Sequence, residues 1–412
     1  MFLKKRICNW CDKKIIIVLV SLVNLIFCLS GCDYSFDKSR TRSEKIASSP
    51  TINIGLVWPF SIGPKSFVKG ITIASDEINL SGGVIGKKIN LILKDDDADI
   101  THGMEIADNF AADYSVSGVL GFRDSYVVVP VSNIYVNAGL FMMSTTAASP
   151  KYNAMNSPLL FRTISGSSEI ASKVTEVIKE LNLKRVVIFY ADNEYGLSLA
   201  NFCEDKLSDY SIPLIDRRSY KTGTSVDLTQ IIDQWQFLEI DCVIVLAEVN
   251  NGIKLIEGLR ERKMDVPVFC GDLMNSTRMN EMPAAYTKNV IIPSFFNPYL
   301  AGSPRSVKFI NEYKKRYNSL PDSYASIAYD SLILIAKAIS AAQSAEPRKI
   351  AAALKNFKAE PGANGTYTFD EYGAVIGKKI FLKIIKNKEI VYLDPTNEVN
   401  LIKEYLSIKG RE

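Results

Sequence analysis

The chain has 412 residues, and five of its 49 Lys and Arg and one of its 45 Asp and Glu (Asp12) lie in residues 1–31, which leaves 44 of each sign in the remainder. A neutral body excludes the basic stripe that phosphate backbones require, so no nucleic-acid partner is expected. One histidine (His102) and no cysteine pair at metal-ligand spacing exclude a zinc site, and with no Ser/His/Asp constellation or phosphate-cradling glycine loop, neither an enzyme nor a cofactor is expected.

At the N-terminus, Lys4, Lys5, Arg6, Lys13 and Lys14 flank an apolar run from Ile15 to Leu29 that Asn24 interrupts. A spanning helix needs about 20 apolar residues, so this shorter run predicts a cleaved leader rather than a membrane helix. It ends Leu29, Ser30, Gly31, Cys32, which resembles the lipobox of bacterial lipoproteins, whose cysteine is lipidated on sulfur and becomes the new N-terminus. The resemblance implies a signal peptide at 1–31, membrane attachment through lipid on Cys32, and a place on the periplasmic face of the bacterial cell envelope. An ordinary signal with an incidental cysteine is the alternative. Asp33 resembles the signal that retains enteric lipoproteins in the inner membrane. Residues 32–50 are polar, nearly free of aliphatic side chains and end in proline, a composition that predicts a solvated, lipidated tether. Beyond it Cys203, Cys242 and Cys270 allow at most one disulfide, and Cys242, inside CVIVL, reads as a buried small hydrophobe.

From Thr51 the periodicity alternates. Apolar runs at 52–58, 89–93, 117–121 and 140–144 predict buried strands, and Phe67, Ile71, Ala74 and Ile78 fall on one stripe of a helix ended by Gly82 and Gly83. The rhythm resumes at 185–190, 213–220, 241–246, 266–269 and 289–293, with Ser168 expected to cap a helix over 169–181. Strands alternating with helices imply an α/β fold with parallel sheets. A body of this size exceeds a single core, so two doubly wound lobes are expected, with a seam near 159–169 and a cleft where the carboxyl ends of the two sheets face each other.

The strings GGVIGKKINLILKDDDAD (82–99), GFRDSY (121–126), LFMMSTTAASP (140–150), FRT (161–163), NEYG (193–196), CGD (270–272), AYD (328–330) and TYTFDEYGA (366–374) together resemble the type I periplasmic solute-binding proteins of the leucine/isoleucine/valine-binding family. The resemblance runs in order from about Thr51 to Tyr392. It implies two Rossmann-like lobes joined by a three-crossing hinge, with 51–163 plus 297–350 forming the N-terminal lobe and 164–296 plus 351–405 the C-terminal lobe. It also implies an extracytoplasmic substrate-binding component of an ABC importer that closes on an amino acid, amide or related solute and delivers it to an ABC permease. An envelope lipoprotein of the same fold acting as a sensor or protein-interaction module is the alternative.

By the same resemblance Ser125 and backbone amides meet the ligand's carboxylate, although Ser125 read by itself could as well cap the next helix. Thr146, Ala147 and Ala148 form the second binding loop, with Ala148 replacing a threonine whose hydroxyl would add a contact. Tyr195 reaches across from the second lobe, or serves as a structural turn tyrosine. Asp272 pairs with the ligand's ammonium, or starts a helix. Glu248 is a second cation partner or a solvated loop charge. Trp58 and Phe60 are expected as cleft walls, with Tyr126 beside Ser125. Asp124 and Asp99 fill the two ends of a disulfide found in some members, which is therefore absent here.

Overall fold

The computed structural model describes residues 40–224, 226–300 and 302–406; Cys32, the leader 1–31 and the start of the expected tether lie outside the described residues. Residues 40–48 form helix α1, followed by β1 (Thr51–Val57), α2 (Lys65–Leu80), β2 (Lys88–Lys94), α3 (Ile100–Ala112), β3 (Val116–Gly121), α4 (Ser125–Asn137), β4 (Phe141–Ser144), α5 (Pro150–Ala154) and β5 (Leu160–Arg162). The five strands make one parallel sheet in the order β2-β1-β3-β4-β5. Because side chains alternate along a strand, β1 sends Ile52, Ile54 and Leu56 into the core on one face, while Val57 joins Val116 and Val119 in the core on the other.

The chain then enters a second sheet through α6 (Ser167–Glu180), β6 (Val186–Ala191), α7 (Glu194–Asp209), β7 (Leu214–Tyr220), α8 (Thr229–Phe237), β8 (Cys242–Leu246), α9 (Val249–Glu261), β9 (Val268–Cys270), α10 (Arg278–Glu281), α11 (Ala284–Thr287) and β10 (Val290–Ser294). Here Val186 and Ile188 face one core, and Val187 and Phe189 the other. Helix α6 is capped at Gly166, not by Ser168, whose hydroxyl instead donates to Glu169 within the first turn.

The chain returns to the first lobe for α12 (Pro304–Tyr317), α13 (Ser323–Ala342), α14 (Pro347–Lys355), β11 (Glu360–Gly362) and β12 (Gly365–Tyr367). It crosses a third time to give β13 (Phe381–Lys386), β14 (Glu389–Tyr392) and α15 (Glu398–Tyr405). The second sheet has the order β14-β13-β10-β9-β8-β6-β7, with β13 and β14 antiparallel at its edge. Two lobes and parallel sheets follow the alternating pattern of the sequence. The boundary expected at 350 is corrected: Ala351, Leu354, Ala363, Tyr367, Phe369 and Val375 all pack in the first lobe's core, and Asp330 of α13 fastens this segment by accepting from the amides of Ala363 (2.6 Å) and Asn364 (2.7 Å) and the hydroxyl of Tyr367 (2.8 Å).

Helix α13 is apolar on nearly all sides because it is buried on nearly all sides. It lies so close to α2 that a Cβ on Gly70 would stand 2.0 Å from the carbonyl oxygen of Ala325, which no side chain could occupy without separating the helices.

The expected tether also needs correction. Residues 40–48 dock on the first lobe, with Ile46 in its core. The buried Arg42 guanidinium donates to the carbonyls of Ala111 (2.6 Å), Asp113 (3.0 Å) and Val116 (3.1 Å), supplying donors and positive charge to the open carbonyls at the C-terminus of α3. Lys87 does the same for α1, donating to Ala47 (2.7 Å) and Ile46 (3.3 Å). Arg42→Ala removes three charge-assisted bonds from one buried site, so it should lower stability by about 2–3 kcal/mol, read as an earlier denaturant midpoint at unchanged slope. A midpoint within experimental error of the parent would mean that α1 adds nothing to the fold.

Candidate functional site

Strand β3 ends in a forced bend. Gly121 has φ +128°, and a Cβ there would lie 2.0 Å from the carbonyl oxygen of Val57. Phe122 follows at φ +56°, its ring fully buried and its amide on the same Val57 carbonyl at 2.8 Å. A bulky residue in the left-handed region is costly and persists only where its surroundings fix it. The bend throws Arg123, Asp124 and Ser125 over the carboxyl end of the sheet.

Ser125 is buried as the first residue of α4, and its Oγ accepts from the amide of Ser149 at 3.3 Å. It caps no backbone group of its own helix, and its O–H remains available to donate. Asp124 stands before it, its carboxylate gripped by Arg123 through Nε (3.1 and 2.9 Å) and Nη2 (2.9 Å). Burial raises the Asp124 pKa even with that guanidinium alongside. Sequence reading passed over Arg123; a basic residue between a glycine-initiated turn and an acid was the available signal.

The second loop packs against this turn. The hydroxyl of Thr146 donates to the Arg123 carbonyl at 2.9 Å, so it serves the scaffold. The Ala148 carbonyl accepts from Arg162 Nη1 (3.0 Å) and from the amide (3.0 Å) and hydroxyl (3.1 Å) of Ser167, and is likewise engaged. Among the described residues no acceptor takes the amides of Thr146, Ala147 or Ala148, and the buried Thr145 hydroxyl has no partner. The loop therefore offers donors, which suit an anionic or carbonyl head group.

From the second lobe, Tyr195 near the start of α7 donates to Asp272 Oδ1 at 2.9 Å. Asp272 opens a short 3-10 turn after β9 and is buried; burial raises its pKa to about 6, with the tyrosine bond acting the other way. Glu248 stands half-buried at the N-cap position of α9 without capping it, and its carboxylate accepts from Tyr220 and from Asn193 Nδ2 (3.2 Å). Its charge adds to the upward push that burial gives Asp124 and Tyr126 of the first lobe. Direct contacts across the cleft run from Glu194 to Ser149 Oγ (2.7 Å) and Lys151 (2.6 Å).

Three more expected residues are held by contacts of their own. Trp58 is wholly buried, stacked on Phe67 with ring centroids 3.7 Å apart and edge-on to Tyr324 at 6.2 Å, so it supports the cleft from within the core instead of lining it. Phe60 packs half-buried on the same core. Tyr126 turns its hydroxyl to the Ala98 carbonyl at 2.8 Å, tying α4 to the acidic loop that precedes α3. Tyr324 at the start of α13, which no sequence motif announced, lies within electrostatic reach of Asp272 on one side and of Arg123 and Asp124 on the other. Among the described residues, Cys203, Cys242 and Cys270 are free and buried.

Two lobes with polar groups facing each other from the carboxyl ends of parallel strands match known proteins along the chain. The sequence model of the periplasmic binding protein family matches residues 51–388. The chain belongs to that family. Among its relatives, the Leu/Ile/Val-binding protein homolog 1 of Brucella suis is 23% identical over 326 residues, 78% of this chain and 86% of the relative. A Leu/Ile/Val-binding protein of Rhizobium johnstonii is 26% identical over 340 residues, 80% and 90% of the two chains. The solved ABC transporter substrate-binding protein of Desulfitobacterium hafniense in complex with Leu is 30% identical, with a TM-score of 0.75 over 83% of this chain and all of that one.

In this periplasmic binding protein the acidic loop hides a further titrating group. Asp96 is fully buried, with Oδ1 accepting from Ala98 at 3.4 Å and Oδ2 without a partner. Burial, with the nearby Asp124 adding to it, raises its pKa to about 7. The folded protein thus holds a proton that the unfolded chain releases above about pH 4, so stability should fall as pH rises from 4 to 7, by at most about 1.4 kcal/mol per unit from this group. Asp96→Asn should flatten that part of the profile and be more stable than the parent at pH 7. Parallel pH profiles of parent and variant melting would contradict the assignment.

Proposed function

We propose that this chain is the extracytoplasmic substrate-binding component of an ABC importer, closing its two lobes on an amino-acid-like solute for delivery to a permease. The observation that carries the reading is the pairing of unlike groups across one cleft. Ser125 and the amides of Thr146, Ala147 and Ala148 offer donors from the first lobe, and the buried Asp272, steadied by Tyr195, offers an acceptor from the second. A zwitterion presents a carboxylate to one and an ammonium to the other, and a buried acid gains roughly 1.5–3 kcal/mol from such a charge-assisted bond. The relatives named for Leu/Ile/Val binding support the class of solute.

Two lobes joined by short crossings close by hinge bending. A solute at 100 times its dissociation constant then stabilises the protein by about 2.7 kcal/mol, which a thermal-shift panel of amino acids and amides would detect. Asp272→Asn should weaken the responding solute roughly ten- to a hundredfold. Since the parent carboxyl titrates near pH 6 and a cation favours its ionised form, parent affinity should rise between pH 5 and 7, and the variant should lose that dependence. Tighter binding by Asp272→Asn in calorimetry would reverse the proposed orientation of the solute.

Lipidation of Cys32 belongs to the same reading, supported by the Leu29, Ser30, Gly31, Cys32 sequence. Cys32→Ala should abolish palmitate labelling and release the protein from the membrane fraction; retention of both by the variant would end the lipoprotein assignment.

A further inference from the structure

The geometry points to Arg123 as the residue that selects the far end of the solute, and to an α-amino acid whose side chain ends in an uncharged carboxamide as the class it selects. The inference rests on the solute-binding reading above. Arg123 leaves the Gly121–Phe122 bend directly before Asp124 and Ser125, its side chain mostly buried. Only Nε and Nη2 meet Asp124. No acceptor among the described residues takes the Nη1 hydrogens, and Arg123 donates to no other side chain. A guanidinium carries five N–H donors, so at least two are left over, on a side chain that keeps 16% of its surface open to the cleft solvent. Arg123 stands on the same turn as Ser125 and its carbonyl accepts from the Thr146 hydroxyl, so it belongs to the first-lobe side of the cleft whose other lobe holds the proposed ammonium site.

The surrounding charges decide what such donors accept. An aliphatic tip would leave the N–H groups facing a group that cannot pair with them, the situation in which hydrogen-bonding sites discriminate most strongly. A carboxylate tip would pair with the guanidinium, but Asp124 already neutralises that charge, and Glu248 extends its field to the same turn. A second anion there is repelled. A carboxamide satisfies both sides, its carbonyl accepting from Nη1 and its NH2 donating toward the lone pairs of Asp124 and Glu248, with no net charge added.

Calorimetry on the unmodified protein with L-glutamine, L-asparagine, L-leucine and L-glutamate separates the possibilities. The expected result is that glutamine or asparagine binds at least tenfold more tightly than leucine and glutamate. Arg123→Leu combined with Asp124→Asn, which avoids leaving the carboxylate buried without its partner, should weaken the amide solute at least tenfold and strengthen leucine. Tighter binding of leucine or glutamate than of both amides by the unmodified protein would overturn the role of Arg123 and leave the solute-binding reading standing. If none of the four binds and no amino acid shifts the melting temperature, the solute-binding reading falls and this inference with it.

Discussion

Because the carbonyl of Val57 lies against the end of β3, the chain can continue only through two left-handed residues, Gly121 and Phe122. The polar turn after β3 is placed by that steric constraint. It fixes the direction in which Arg123 and Asp124 leave the sheet, starts α4 at Ser125, and brings the Arg123 carbonyl to the Thr146 hydroxyl. The second loop is then held from behind by Arg162 and Ser167 through the Ala148 carbonyl. Fixed donors on a rigid frame lose little entropy on binding, which is how such a site gains affinity from few contacts.

The second lobe meets the first through polar contacts, among them the amide and hydroxyl of Ser167 at the start of α6 on the Ala148 carbonyl. The contacts of Glu194 with Ser149 and Lys151 are polar, and the lysine is mostly exposed, so the ion pair adds at most about 1 kcal/mol. At the hinge, Ser323 of α13 meets Ser294 at 2.8 Å and Asn275 at 3.3 Å, small polar contacts that can re-form after a rotation. On the proposed hinge closure, a solute that touches both lobes would act through its differential affinity for the closed form.

Strands were legible where an apolar run and a parallel ladder coincide: INIGLVW and DCVIVL lie in β1 and β8 because both faces of each are buried. Helix α1 was not legible, since it has one core residue, Ile46, and an arginine whose value depends on three carbonyls some seventy positions away. The end of the first lobe was misplaced for a similar reason: short strands such as β11 and β12 owe their place to the Asp330 network rather than to any periodicity of their own. At the candidate site, Ser125 and Asp272 came from the family resemblance, and type and spacing alone left each with a helix-start alternative. Arg123 could not be picked out, because its orientation comes from the bend before it, and Trp58 misled because an aromatic at a strand's carboxyl end can turn to the core or to the cleft with equal ease.

Docking of α1 also changes how far the protein can stray. Were residues 32–50 all slack chain, the eighteen steps from Cys32 to Pro50 at roughly 3.3–3.6 Å each would give a reach of about 60 Å. With the chain fastened from Arg40 onward, only eight steps separate it from Cys32, or about 28 Å fully stretched. That is comparable to the radius of the two-lobed body itself, roughly 21 Å as a radius of gyration. On the proposed anchor the protein could not turn freely end over end, because the end that carries α1 would stay within that distance of the bilayer. A transporter beside it would meet a restricted set of orientations, so docking would begin as a search in two dimensions.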